Sequence, residues 1–196
     1  MKPAVFLDRD GTLIEHVHHL ADWRDVRLLD GSAGAIQNLR AAGFACVVVT
    51  NQSVVGRGKL TIKGLNEIHN VMHVSLAKGG VRLDGIYSCP VAPTETDPEV
   101  IEHPDRKPGP GMLRRAAAEL NLDLAHSWMI GDTISDMLAG RNARCGGTIL
   151  VRTGCGRDVD SEHPAIDYVV DDLPAAAALI LNTHHDEAQH DRREVC

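Results

Sequence analysis

Residues 4–13 read AVFLDRDGTL, a short apolar run that ends in charged and turn-forming residues. This pattern is typical of a buried parallel strand whose carboxyl end, here at Asp8 and Asp10, opens into a loop. Two later segments have the same form, residues 44–53 (FACVVVTNQS) and residues 128–132 (WMIGD). Because the carboxyl ends of parallel strands lie along one edge of a sheet, we expect the polar residues of all three junctions to meet there.

Helical and strand patterns alternate along the rest of the chain, which indicates an α/β fold built on a doubly wound, Rossmann-like parallel sheet. We expect one domain over residues 1–181 and a polar C-terminal tail over residues 182–196. The segment 89–111 is irregular and rich in proline, and a loop of that length is expected to shape the functional site. Helices are predicted over residues 33–42, 61–78, 112–120, 135–142 and 174–181, and further strands over residues 85–88, 147–151 and 168–170.

The composition of the 196-residue chain argues against several classes of protein. Hydrophobic residues make up 43% and charged residues 24%, which is too balanced for disorder or a fibrous repeat. No apolar run approaches the roughly 18–20 residues of a membrane span, and the N-terminus lacks the layout of a signal peptide. The net charge of −7 disfavours broad nucleic-acid binding but admits a small anionic substrate. Five widely spaced cysteines fit a reducing cytoplasm, and we expect a cytoplasmic monomer.

Acidic residues dominate the strand junctions. Asp8 and Asp10 stand two apart in extended backbone, so their side chains point to one side, and Asp132 brings a third carboxylate to the same edge. Carboxylates this close repel one another unless a cation lies between them. Oxygen ligands without a histidine or thiolate suit Mg²⁺, so we expect a magnesium site here. Asp136, four residues after Asp132, would orient one of its ligands.

Basic residues are placed to face this acid cluster. Arg106 and Lys107 lie in the long loop, and Arg57 and Lys59 follow the second strand. Taken singly, each of them would be read as a surface residue. A cationic lining beside a metal-binding acid cluster is what a phosphate ester requires, so together they indicate a small phosphorylated substrate.

Four motifs in this order resemble those of the haloacid dehalogenase-like (HAD) phosphatase superfamily. The resemblance narrows to the branch that contains the D,D-heptose 1,7-bisphosphate and histidinol-phosphate phosphatases, and it covers roughly residues 5–154. It implies a HAD core. Many relatives carry a cap domain between the first two motifs or between the second and third, but this chain has no large insertion at either place, so we expect a capless core with an open site that the long loop shapes. The motifs are residues 8–13 (DRDGTL), residues 50–53 (TNQS), residues 106–112 (RKPGPGM) and residues 131–136 (GDTISD).

The resemblance implies a Mg²⁺-dependent phosphatase that forms an aspartyl-phosphate on Asp8. Asp10 would protonate the leaving oxygen and then take a proton from the hydrolytic water. Thr50 and Lys107 would bind the phosphoryl oxygens as these gain charge. The implied metal ligands are Asp8, the backbone carbonyl of Asp10, and Asp132. The implied substrate contacts are Asn51, Gln52, Ser53 and Arg106, with Arg57 added because it fits a phosphate or sugar contact.

The implied substrate is a sugar phosphate, D-glycero-D-manno-heptose 1,7-bisphosphate, cleaved at its 7-phosphate. Histidinol phosphate or another small phosphomonoester is the alternative within the same fold. A receiver-type phosphoacceptor domain would also use acidic residues, a threonine and a lysine on a doubly wound sheet. It has no use for an acid and base two residues after the phosphorylated aspartate, so Asp10 favours the enzyme.

The long loop departs from the pattern of its relatives. That branch holds a structural zinc with Cys-x-His and Cys-x-Cys ligands, whereas this chain has Cys89, His103 and Asp105 at the corresponding places. Structural zinc sites are almost always closed by four ligands and favour thiolate. We therefore expect a degenerate site without zinc, and a loop that its prolines hold in shape.

The segment after the first motif is the second departure. Relatives use these positions for the sugar of the substrate, and this chain has His16 and His19 there, with His18 close by. Three histidines in four positions indicate a substrate contact, a metal site or a pH-sensitive contact. The alternative is a polar loop whose imidazoles meet water.

Overall fold

The computed structural model describes the backbone of residues 1–194 and the side chains of residues 1–184, and a parallel sheet of six strands forms its centre. The strands are β1 (Lys2–Leu7), β2 (Ala45–Asn51), β3 (Gly85–Cys89), β4 (Leu122–Gly131), β5 (Gly147–Val151) and β6 (Tyr168–Val170). Their order across the sheet is β3-β2-β1-β4-β5-β6. The chain adds β2 and β3 on one side of β1 and then crosses to the other side with β4. In such sheets the ligand crevice lies at this reversal, outside the carboxyl ends of the strands.

Hydrophobic cores cover both faces of the sheet, as the doubly wound prediction requires. In β1 alone, Val5 and Leu7 belong to one core and Ala4 and Phe6 to the other, because successive side chains of a strand point to opposite faces. Helices α1, α3 and α6 pack on the first face, and α4 and α5 on the second. The helices are α1 (Ser32–Ala41), α2 (Ser53–Gly56), α3 (Ile62–Lys78), α4 (Gly111–Leu120), α5 (Ile134–Ala143) and α6 (Leu173–Glu194), with a 3-10 helix at Trp23–Asp25.

The predicted fold class is confirmed. The differences lie in the bounds of elements and in two short helices that were not predicted, the 3-10 helix and α2. β4 begins six residues before the predicted strand, because its first residues pair with Lys2 and Pro3 of β1. α6 continues through most of the predicted tail, whose sequence contains neither glycine nor proline to end the helix. The structure does not describe residues 195 and 196 of that tail, nor its side chains from residue 185 onward.

No cap domain interrupts the described part of the fold. Between Gly11 and Thr50 the chain forms only the 3-10 helix, α1 and most of β2, and between Thr50 and Lys107 only α2, α3 and β3. The long loop between β3 and α4 therefore lies beside the crevice without a covering domain. In the part of the chain that the structure describes, no helix is both long and apolar enough to pass through a membrane.

Candidate active site

Three carboxylates converge at the carboxyl edge of the sheet, but they are not the three that were predicted: Asp136 joins Asp8 and Asp132 in place of Asp10. Asp8 follows β1, Asp132 follows β4 and Asp136 lies in the first turn of α5, and each offers an oxygen within 4.8 Å of the other two. All three side chains are buried, and Asp8 and Asp132 line a cavity of about 350 Å³. The cavity is also lined by Asp10, His16, His19, Thr50, Asn51, Gln52, Ser53, Arg106 and Lys107.

Lys107 is the cation of this cluster. Its ammonium group lies 2.5 Å from Asp8 Oδ1, donates to the carbonyl of Val49 over 2.9 Å, and pairs with Asp136. Burial lowers the pKa of the Lys107 side chain, but the charges of Asp136 and Asp8 raise it by more, so that its pKa lies above the ordinary value. The lysine therefore stays charged and holds two of the three carboxylates.

The second oxygen of Asp136 fixes the start of α5. Asp136 Oδ2 accepts hydrogen bonds from the backbone N–H of Thr133 over 3.0 Å and from its hydroxyl over 2.6 Å, which forms a capping box. In the structure, Asp136 thus links the helix start to Lys107. Asp136 was predicted to orient a ligand of the magnesium site. In the structure it orients Lys107 instead.

The pKa values of the remaining two carboxyls are raised. Burial, together with the charges of Asp136 and Asp10, raises the pKa of Asp8 to about 7 although Lys107 lowers it. Burial and the charges of Asp8 and Asp136 raise the pKa of Asp132 to about 8. A single lysine does not neutralise three buried carboxylates, so the site favours protons or a further cation.

Asp132 is oriented by the loop that follows β5. Its Oδ2 accepts a hydrogen bond from the backbone N–H of Cys155 over 2.8 Å, while its buried Oδ1 has no partner among the described residues. Gly11 and Gly154 have positive φ, and a Cβ on either would lie 2.2 Å or less from Asp132 Oδ2. Only glycine at both positions leaves room for this carboxylate.

Asp10 lies in a separate hydrogen-bond network at the side of the cavity. Arg9 donates to both of its carboxylate oxygens over 3.0–3.1 Å, and Gln52 donates to Oδ2 over 2.9 Å. Arg9 also donates to Gln52 Oε1, and Gln52 Nε2 donates to the hydroxyl of Thr50. The side chain of Asp10 does not belong to the converging carboxylates, which agrees with a metal contact through its backbone carbonyl alone.

Asn51 attaches the long loop to the end of β2. Its Nδ2 donates to the backbone carbonyl of Lys107 and its Oδ1 accepts from the backbone N–H of Lys107, both over 3.0 Å. Asn51 was predicted as a substrate contact, and it does line the cavity. Its amide is already engaged by the loop, so its main contribution in this structure is to place Lys107.

The other predicted contacts divide between the cavity and its surroundings. Gln52, Ser53 and Arg106 line the cavity, and Arg106 donates from Nη1 to the carbonyl of Val91 over 2.9 Å. Arg57 is exposed and lies outside the cavity lining. Of the histidines, His16, His18 and His19 all line the cavity, and the rings of His18 and His19 lie 4.0 Å apart.

The loop residues considered for zinc do not converge. Cys89, His103 and Asp105 offer no three ligand atoms within 4.8 Å of one another. Asp105 instead pairs with Arg115 over 2.5 Å, and its backbone N–H donates to His103 Nδ1. Backbone hydrogen bonds close the loop from residue 103 to residue 111, such as that from Gly111 N–H to the Pro104 carbonyl over 2.7 Å.

Two functional features were missed from the sequence. Arg9 is only 1% exposed, although an arginine between two aspartates would be expected at the surface. The loop after β5 supplies Thr153, which donates to the Gly11 carbonyl over 2.5 Å, as well as Gly154 and Cys155. This loop also follows the carboxyl end of a strand, so the rule applied to β1, β2 and β4 would have found it.

Known proteins share both the sequence and the architecture of this chain. A family model described as "HAD-hyrolase-like" matches residues 105–176. The D-glycero-beta-D-manno-heptose-1,7-bisphosphate 7-phosphatase of Pasteurella multocida (strain Pm70) is 44% identical, over 92% of this chain and 97% of that protein. The protein of the same name from Escherichia coli (strain K12) is 43% identical, over 89% of this chain and 93% of that protein.

A solved structure agrees with these relatives. The D,D-heptose 1,7-bisphosphate phosphatase from B. bronchiseptica, crystallised with magnesium and phosphate, superposes with a TM-score of 0.81. It is 34% identical in sequence, over 92% of this chain and 99% of that chain. Sequence and fold thus identify the same group of proteins, and the chain belongs to the heptose-1,7-bisphosphate 7-phosphatase family of HAD-like hydrolases.

Proposed function

We propose that this chain is a Mg²⁺-dependent phosphatase that removes the 7-phosphate of D-glycero-β-D-manno-heptose 1,7-bisphosphate. The observation that carries the proposal is the buried group of Asp8, Asp132 and Asp136 around Lys107, at the open edge of the sheet. The relatives named for this activity match nearly the whole length of the chain and support the choice of substrate.

The residues of the site fit a magnesium ion. Asp132 Oδ1 is buried without a partner among the described residues, and burial together with the charges of Asp8 and Asp136 raises the pKa of Asp132. Asp8 and Asp132, with the backbone carbonyl of Asp10, would hold Mg²⁺ through hard oxygen ligands. When bound, Mg²⁺ would neutralise phosphoryl charge and let a carboxylate approach an anionic phosphate. A solved relative is complexed with magnesium and phosphate, which supports this assignment.

Asp8 is the nucleophile in the proposed reaction. One of its oxygens attacks phosphorus, the bond from phosphorus to the substrate oxygen breaks, and an aspartyl-phosphate forms. Water then attacks the same phosphorus, which releases inorganic phosphate and returns the carboxylate of Asp8. Two displacements replace one more difficult direct hydrolysis. The 2.5 Å contact with Lys107 keeps the Asp8 carboxylate in place, and Lys107 and Thr50 bind phosphoryl oxygens.

Asp10 is the acid and base of both displacements. It donates a proton to the leaving sugar oxygen in the first step and accepts one from water in the second. In the structure Arg9 and Gln52 hold both carboxylate oxygens. The contacts therefore fix the position of Asp10 beside the cavity, and Arg9 is a positioning residue for it.

The sugar and the second phosphate would be bound at the rim of the cavity. Arg106 offers a guanidinium for the distal phosphate, and Arg57 adds positive charge outside the cavity. Gln52, Ser53, His16 and His19 offer hydrogen bonds to sugar hydroxyls. Because no cap domain covers the site, these side chains would determine which phosphate esters the enzyme accepts.

We place this reaction in the cytoplasm and assign it to a monomer. Cys46, Cys89, Cys145 and Cys155 are free thiols in the structure, which suits a reducing compartment. Size-exclusion chromatography coupled to light scattering tests the monomer, since a dimer would give twice the 21.2 kDa mass of the chain.

A phosphate-release assay tests the proposed function directly. The substrates are the heptose 1,7-bisphosphate, histidinol phosphate and simple monophosphates, each with and without Mg²⁺. We expect many turnovers with Mg²⁺ and the highest kcat/KM with the heptose bisphosphate. A higher kcat/KM with histidinol phosphate would show that histidinol phosphate is the substrate instead. A single turnover would indicate a phosphoacceptor domain and not an enzyme.

Replacement of the proposed nucleophile, Asp8, tests its role against a control variant at an exposed aspartate. Asp8→Asn removes the attacking charge while keeping the shape of the side chain, and we expect a loss of at least about a thousandfold in kcat. Asp25→Asn changes an exposed aspartate near the surface 3-10 helix and should leave kcat unchanged. Retention of a few per cent of activity by Asp8→Asn would remove Asp8 as the nucleophile.

A further inference from the structure

A second group of metal-binding atoms lies beside the three carboxylates. His16, Asp132 and Cys155 each offer one ligand atom, and the three atoms lie within 4.8 Å of one another. They come from the segment after β1, the end of β4 and the loop after β5. Because they are far apart in sequence, no motif with a fixed spacing predicts this group. Asp132 is 1% exposed and keeps one oxygen without a hydrogen bond from the described residues.

The donor atoms of this group differ in kind from those of the magnesium site. Imidazole nitrogen and thiolate sulfur are poor ligands for Mg²⁺ and preferred ligands for Zn²⁺. The choice of histidine is specific: the rings of His18 and His19 lie against each other, and only His16 joins the group.

The spacing suits a tetrahedral ion after a small movement. Zinc bonds of about 2.0–2.3 Å separate neighbouring ligands by roughly 3.3–3.8 Å. The three ligand atoms here all lie within 4.8 Å of one another, so each pair needs to approach by about 1.5 Å at most. His16 is exposed at the cavity wall. The fourth position would face the cavity, as in zinc sites that keep one position open.

We propose that His16, Asp132 and Cys155 form an inhibitory site for Zn²⁺, which competes with Mg²⁺ because both ions need Asp132. Zinc replaces the proton of the Cys155 thiol, which passes to solvent, and draws the Asp132 carboxylate toward the histidine. The inhibition rests on the proposed phosphatase activity, whereas the binding of zinc does not. The consequence is an enzyme whose activity falls when free zinc rises relative to magnesium.

Binding is tested with Co²⁺, which takes the place of zinc and gives a thiolate charge-transfer absorption when a cysteine ligates it. We expect this absorption in the wild-type protein and in Cys145→Ala, a control at a cysteine far from the group. Cys155→Ala should lose it while keeping the backbone N–H that binds Asp132. An absorption that persists in Cys155→Ala, or is missing from the wild-type protein, overturns the proposal.

The histidine ligand has its own pair of variants. His16→Gln should need at least about tenfold more Co²⁺ to reach half of the thiolate absorption, since even outer partners of a metal site contribute tenfold or more to affinity. His18→Gln, two residues away on the same cavity wall, should titrate like the wild-type protein. Equal titrations of the two variants would exclude His16 as a ligand.

Inhibition is tested by phosphate release at fixed Mg²⁺ with increasing Zn²⁺. The half-inhibitory Zn²⁺ concentration should be at least about tenfold higher for Cys155→Ala than for the wild-type protein and Cys145→Ala. In the wild-type protein it should rise as Mg²⁺ is increased. Identical inhibition of Cys155→Ala would show that zinc acts at the three carboxylates alone. If the wild-type protein releases no phosphate, the proposed function fails, while the Co²⁺ absorption still decides the zinc site.

Discussion

Asn51 offers a test of how the long loop is held, because its amide pairs with both backbone groups of Lys107 over 3.0 Å. Asn51→Ala removes both hydrogen bonds. A net contribution of about 0.5–1.5 kcal/mol for each bond predicts a loss of about 1–3 kcal/mol in the free energy of unfolding. The ammonium of Lys107 would also lose its fixed place 2.5 Å from Asp8. A displacement of about 1 Å at a catalytic centre costs up to about a hundredfold in rate, so kcat should fall more than KM rises.

Urea unfolding and steady-state phosphate release measure the two effects on the same protein. Asn51→Asp is the sharper variant, because it keeps the size of the side chain but turns the group facing the Lys107 carbonyl from a donor into an acceptor. It should be at least as unstable as Asn51→Ala. Asn70→Ala changes an exposed asparagine of α3 and should leave both stability and kcat unchanged.

The two possible roles of Asn51 give opposite results. If Asn51 served mainly to bind substrate, its variants would raise KM and leave the free energy of unfolding within about 0.5 kcal/mol of the wild-type value. That result would refute the assignment of Asn51 as the attachment of the loop.

Three further predictions concern the metal, a glycine and the loop. The pKa values of Asp8 and Asp132 are raised to about 7 and about 8 in the folded protein, whereas carboxyl groups of the unfolded chain have a pKa near 4. Between these values the metal-free folded state holds protons that the unfolded state has lost. The stability of the metal-free protein should therefore fall as pH rises from about 4 to 8. Mg²⁺ must displace these protons, so its affinity, measured by calorimetry, should fall at least about tenfold from pH 8 to pH 6, and a pH-independent affinity would contradict the charge assignment. Gly154→Ala would place a Cβ 2.1 Å from Asp132 Oδ2 and should weaken Mg²⁺ binding by at least about tenfold, whereas Gly80→Ala, with similar positive φ in open space, should leave that binding unchanged. Metal analysis of protein purified without chelator and then dialysed against Mg²⁺ should show no zinc held by the loop at Cys89; zinc that Cys89→Ala removes would overturn this view of the loop.

The fold and two members of the acid cluster, Asp8 and Asp132, could be predicted because each depends on local sequence. Apolar runs that end in polar residues identify β1, β2 and β4, and parallel pairing then brings Asp8 and Asp132 together without further information. The bounds of β5 and β6 agree with the prediction because turn-forming residues surround each of them. The length of β4 was not predictable, since its first half is defined by pairing with the start of β1.

The fine structure of the site depends on contacts between distant segments, which sequence patterns do not contain. Arg9 is buried because Gln52, 43 residues away, accepts from its guanidinium. Asn51 and Lys107 pair across 56 residues. Cys155 was counted only among the five widely spaced cysteines, and its position beside His16 and Asp132 follows from the loop after β5. Such roles can be listed as candidates from a sequence, but only the folded chain decides among them.

Charge balance supports the proposal that these residues hold a divalent ion. Lys107 pairs with Asp8 and Asp136 at once, and Arg9, the other buried basic side chain among the described residues, is hydrogen-bonded to Asp10 and Gln52. Asp132 is left with a bare oxygen, and the pKa of its carboxyl rises to about 8. A phosphate that entered this site would add negative charge to a group already short of cations, so substrate binding must be weak until another cation is present. A second lysine would bring one charge and occupy the space that the phosphoryl group needs. A divalent ion brings two charges and leaves that space free, and the buried carboxylates thereby make the binding of substrate depend on the metal.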